Sequence, residues 1–187
     1  MARFAAAQSI MRSALDRPGP WPVPPRPGGE SVQPLDVDLW GEYALAIAYL
    51  DEVDDGLASM QAAVFAVAEG GWVSVGGGGG SVQLEGFALE SAEPAMLQQH
   101  GRGGVRIEKT GRTSRWVHHT SIRCSPAAAA VVVERGGDVR RVAVGDVALW
   151  IGVAWTAETE PIVRALDAAG DELTAIRPAA WHVRPHQ

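Results

Sequence analysis

A chain of 187 residues with 47% hydrophobic and 20% charged side chains is long and apolar enough to bury a substantial core. Wholesale disorder is thereby excluded, and no metal or disulfide staple is needed to fold it. No uninterrupted apolar stretch, residues 44–50 included, approaches the roughly 20 residues of a membrane-spanning helix, so no membrane association is expected, and a net charge of −6 argues against nonspecific nucleic-acid binding.

Charge is unevenly placed. Residues 27–101 carry twelve acids and no Lys or Arg, whereas residues 1–26 and 102–187 are each positive by three. Cys124 is the only cysteine, which excludes an intramolecular disulfide and fits a reducing, cytoplasmic setting. The N-terminal segment is interrupted by Gln8 and Ser9 and does not read as a secretory leader.

Residues 2–15 are expected to form a short helix with a ragged apolar stripe of Phe4, Ile10, Met11 and Leu15. The next segment, 18–29, holds six prolines, which fix φ and remove donors, so it reads as an extended arm. Residues 1–34 are thus a helix plus a Pro-rich arm or linker, and residues 35–187 a single mainly β domain. In 43–49 large and small side chains alternate with period two, favouring a strand whose alanine face lies against another layer. A helix starting after Asp38 would also gather Trp40, Tyr43, Ile47 and Leu50. Leu57, Met60, Val64 and Phe65 have the spacing of a helix over 57–69 capped by Gly70 and Gly71; the competing reading is a hairpin of 64–68 and 72–75 joined by Glu69, Gly70 and Gly71. The glycines 76–80 read as a flexible loop; no lysine is present to make them a phosphate loop.

Further strands are expected at 72–75, 82–89, 105–109, 115–124, 129–135, 139–144, 147–156, 162–166 and 173–176. Gly136 and Gly137 between two valine-rich runs mark a two-residue hairpin, with Arg135 opposite Asp138. Residues 147–155 are apolar on both faces, as in a strand covered twice or one that meets a partner. A helix at 57–69 would supply a second cover. The fold expected is a mainly β, two-layer antiparallel β-sandwich (or partly open barrel), with one or two short helices N-terminal to it.

No motif commits the chain to catalysis. The acidic run 51–56 lacks the third and twelfth ligands of a calcium loop. His118 and His119 point to opposite faces of a strand, so they cannot share one ion, and no metal or other cofactor is expected. Cys124 shares the apolar face with Trp116 and Ile122, where a thiol behaves as a small hydrophobe. Seven tryptophans are read as core at Trp72, Trp116, Trp150 and Trp155, and as seams at Trp21, Trp40 and Trp181. The one concentrated positive region comprises Arg102, Arg106, Lys109, Arg112, Arg115, His119 and Arg123. Arginine forks bind carboxylate or phosphate, so this face can hold an anion or an acidic partner, or else neutralise the chain's own acidic segment. The function expected is a non-catalytic intracellular protein-interaction or regulatory module whose partner is another protein. One alternative is a small-ligand-binding or enzymatic domain with a Trp-lined cleft near His118 and His119; another is a structural subunit of a homo-oligomer.

Overall fold

A computed structural model describes residues 2–17, 21–24, 32–54, 57–83, 96–107 and 114–180. One helix, α1 (Ala2–Leu15), precedes eleven strands. The first four are β1 (Val32–Trp40), β2 (Tyr43–Asp54), β3 (Leu57–Ala68) and β4 (Gly71–Gln83). Then come β5 (Leu97–Ile107), β6 (Arg115–Cys124), β7 (Ala130–Arg135), β8 (Asp138–Ala143), β9 (Leu149–Trp155), β10 (Ile162–Leu166) and β11 (Glu172–Ile176). They form three antiparallel sheets: a front sheet β1-β2-β3-β4, a middle sheet β5-β6-β9 and a back sheet β11-β10-β7-β8. The expected mainly β, antiparallel sandwich with an N-terminal helix is what the chain forms, and its sheets do not close into a barrel. No helix among the described residues is long and apolar enough to cross a membrane.

Side-chain alternation sets the stacking. On β2, Tyr43, Leu45, Ile47 and Tyr49 pack with Val105, Val117, Trp150 and Ala154 of the middle sheet. Ala44, Ala46 and Ala48 on the opposite face meet Ala7, Met11 and Ala14 of α1. Small side chains are what let the helix lie close to the sheet. The other face of the middle sheet, with Ile122, Ile151, Val153 and Trp155, packs on Val131, Val133, Val163 and Ala165 of the back sheet. Strand β9 is therefore buried along its whole length, as its two apolar faces require.

Residues 57–68 take the hairpin alternative: Ala68 pairs with Gly71, and β3 runs along β4. The front sheet, not a helix at 57–69, supplies the second cover of β9. The turn at Gly136 (φ 51°) and Gly137 (φ 86°) joins β7 to β8 with Arg135 paired to Asp138. Several expectations need correction. Residues 76–80 are not a loop but lie in β4, paired with β3 from Met60 to Val64. Glycine hides strand character by removing the side chains that carry it. Strand β5 begins at Leu97 rather than at 105, and β1 was not anticipated. Trp116, expected in the core, is 36% exposed near the start of β6. Residues 84–89 and Trp181 lie outside the described residues.

Strand β1 explains how the middle sheet ends. β9 pairs with β6 on one edge only, and an open edge buried between layers leaves backbone donors and acceptors without partners. A bulge between Pro34 and Asp36 resets the alternation of β1, so that Asp36 and Asp38 meet that edge. Asp36 accepts from Gly152 N at 2.8 Å and Asp38 from Ala154 N at 3.2 Å. From the back sheet, Arg135 donates to Ala154 O at 2.6 Å and to Asp38 Oδ1 at 2.8 Å. Arg140 donates to Gly152 O at 3.3 Å and to Asp36 Oδ2 at 3.0 Å. Two carboxylates and two guanidinium groups thus stand where the next strand would be, satisfying each other and the edge. The Arg135 guanidinium also lies 5.3 Å from the Trp40 ring centre.

Candidate functional site

Strand β6 runs through the middle sheet between β5 and β9, and from Val117 to Cys124 every position is buried. Its odd positions 119, 121 and 123 lie on the same side as Val117, which belongs to the core against the front sheet. Here β6 and β5 face β3 and β4 across a pocket of about 200 Å³ lined by Met60, Ala62, Gly78, Gly79, Gly80, His100, Gly101, Arg102, His119 and Ser121. One wall is backbone and apolar side chains; the other is polar.

Local structure positions the polar wall. The register of β5 on β6 slips between His100 and Arg102, and Gly101 takes the left-handed φ of 53° that such a bulge needs. Two hydroxyls pin the bulge: Thr120 donates to Gly101 O at 2.6 Å and Ser121 to His100 O at 2.7 Å. The bulge breaks strict alternation and brings His100, Gly101 and Arg102 all to the pocket. His100 is held edge-on to Trp150, ring centres 4.7 Å apart. The His119 ring lies against Gly103 of β5, where a Cβ would come 2.7 Å from its Cε1. Glycine at 103 is therefore what leaves room for the imidazole.

Electrostatics make this wall unusual. His119 is 4% exposed, and burial, aided by the neighbouring His118, pulls its pKa down to about 4. It is neutral at pH 7 and makes no hydrogen bond to a described residue. His100 is lowered too, first by burial and then by the charge of Arg123. Its Nε2 is buried with no partner among the described residues, as is the Nε of the 5% exposed Arg123. No carboxylate lines the pocket among the described residues.

The residues singled out in the sequence divide into three groups. Arg102 and His119 line the pocket, and Arg123 is buried close enough for its charge to act on His100. Arg106 and Arg115 are exposed toward the other end of β5 and β6. Lys109 and Arg112 lie outside the described residues. His118 turns to the opposite face, against Trp155 at 5.7 Å, as strand alternation requires. The acidic segment does pair internally, but Asp36 and Asp38 find Arg140 and Arg135, not the 102–123 cluster. What the sequence did not disclose is the wall formed by Met60, Ala62 and Gly78–80. Five consecutive glycines carry no side-chain pattern, so nothing in the sequence singled out Gly78 and Gly80.

Cys124 belongs to the other side of the sheet. It is fully buried, and desolvation first, then the charge of Asp36, pushes its thiol up to about 12. Native protein is expected to leave an aromatic disulfide reagent unreacted at pH 8, releasing one equivalent of thiol only on denaturation. Rapid reaction of the native state would show Cys124 to be accessible.

No family model matches this sequence, and neither curated proteins nor solved structures show a significant similarity to it.

Proposed function

We propose that this protein is a non-catalytic binding domain that holds a small, acceptor-rich anion in the pocket between its front and middle sheets. The observation that carries this reading is His119. A buried imidazole that faces a pocket and bonds to no described residue has unused hydrogen-bonding capacity, His100 beside it has a buried Nε2 with no partner among the described residues, and such groups call for a ligand or water. Arg102 is the only charged side chain lining the pocket among the described residues, and Arg123 adds positive potential at His100. Both favour an anion. Acyl-transfer chemistry has little support: Ser121 donates its proton to the His100 carbonyl rather than to an imidazole, and Cys124 lies on the opposite face.

A panel of small carboxylates and phosphates, with matched amines, tests this by thermal shift at pH 7. At a hundred times Kd a ligand adds about 2.7 kcal/mol, which for a chain of this size raises Tm by roughly 5–10 °C. At least one anion is expected to do so in the wild type and to lose the effect with Arg102→Ala, while amines do nothing. A response to amines alone, or an anion response indifferent to Arg102→Ala, contradicts the reading.

An acidic protein partner is the second reading. It is favoured by the exposed Arg106, Arg115 and Trp116 toward one end of the β5–β6 pair, since arginine and tryptophan are the residues that anchor interfaces.

A further inference from the structure

Building on the pocket reading above, we infer that the ligand is a flat aromatic carboxylate and that Gly78 and Gly80 are its specificity determinants, their missing side chains being the space its ring occupies. The glycines of β4 fall into two classes. A Cβ at Gly76 would meet Val105 at 2.8 Å, one at Gly77 would strike the Ala62 carbonyl, and one at Gly79 would strike the Gln61 side chain. Gly76 and Gly77 thus have a steric reason to be glycine, and at Gly79 the Gln61 side chain would have to move. Gly78 and Gly80 have no steric reason: a Cβ there meets nothing within 4 Å, and neither has a left-handed φ. Glycine weakens a strand, and where neither packing nor a bulge requires it, close approach of a ligand or another backbone is a reason for it; the β3–β4 register shifts only between Val64 and Phe65, away from Gly78 and Gly80.

The open space at both positions lies in the pocket. Gly78 pairs with Ala62 and Gly80 with Met60, and all four line it. The result is a flat, apolar wall facing the His119 imidazole. A ring fits between a glycine backbone and an imidazole better than a puckered aliphatic ring does. A cavity of about 150 Å³ accommodates benzene, so about 200 Å³ suits one ring bearing a carboxylate, and Arg102 gives the carboxylate its counter-charge.

Calorimetric titration of the full chain at pH 7 with benzoate, cyclohexanecarboxylate, acetate and inorganic phosphate tests this. Benzoate is expected to bind at least tenfold more tightly than the other three. Gly80→Val, whose branched side chain suits a strand, is expected to weaken benzoate at least tenfold while leaving Tm equal to or above that of the wild type. If Gly80→Val does not fold, Gly78→Ala places a single methyl in the same space and is expected to weaken benzoate at least threefold. Tighter binding of acetate, cyclohexanecarboxylate or phosphate overturns the aromatic assignment but leaves the anion pocket standing. Undiminished benzoate affinity in folded glycine variants overturns the role of Gly78 and Gly80. No binding by any of the four acids overturns this inference and counts against the pocket reading as well.

Discussion

Arg135→Ala is expected to destabilise the protein by about 3–5 kcal/mol, the cost of breaking a buried ion pair by removing one side of it. For a chain of this size that is a fall in Tm of roughly 10 °C. The Arg135 side chain is 1% exposed, and so is that of Asp38. Removing the guanidinium leaves the buried carboxylate only Ala154 N and the more distant Arg140, 3.5 Å away, and also deprives the Ala154 carbonyl of its donor. The double replacement Arg135→Met with Asp38→Leu separates these effects. An ordinary buried ion pair exchanged for hydrophobic side chains becomes neutral or even more stable. Here the exchange leaves Ala154 N and Ala154 O unpaired, and each buried unpaired group costs about 1–3 kcal/mol. The double variant is therefore expected to recover only part of the loss. Full recovery in chemical denaturation would show that the four side chains merely pair with each other and do not complete the β9 edge.

Acidification is the second large effect. The pKa of His119 in the folded chain is about 4, against about 6.5 in an unfolded one. Between those values the unfolded state binds the additional proton, so stability is complete above pH 6.5 and falls as the pH drops toward 4. The contribution is on the order of 3 kcal/mol, from a shift of about 2.5 units at 1.36 kcal/mol each. His100 shifts in the same direction and adds to the loss. His119→Gln keeps a polar side chain that does not titrate. Its unfolding free energy is expected to change markedly less between pH 6.5 and pH 4 than that of the wild type. Parallel curves for the two proteins would mean that His119 is not buried as neutral imidazole.

How much of this was legible in the sequence depended on where the deciding partner lay. Strands β6 and β10 and the Gly136–Gly137 hairpin carry their signals within a few residues, in alternation and in paired glycines. Strand β9 announced its double burial by being apolar at every position. Strand β1 did not, because Pro34, Asp36 and Asp38 read as loop chemistry. They become strand residues only through Arg135 and Arg140, 97 and 104 residues further along. The run 76–80 was illegible for a different reason: a glycine strand has no side-chain pattern, and its identity comes from β3 beside it. At the candidate site, Arg102, His119 and Arg123 stood out by charge and parity. The direction of that face did not, since polar residues on a strand suggest solvent. It turns inward because the front sheet covers it, and the glycines of β4 leave the covered space open.

The most direct measurement of the central claim is the imidazole nitrogen chemical shifts of His100, His118 and His119 at pH 7 during titration with a small carboxylate such as benzoate. His100 and His119 line the pocket, and His118 lies across the sheet against Trp155. The pocket account predicts saturable shifts at His100 and His119 with one common dissociation constant, and no saturable change at His118. No saturable change at His100 and His119, or equal changes at all three histidines, would contradict it.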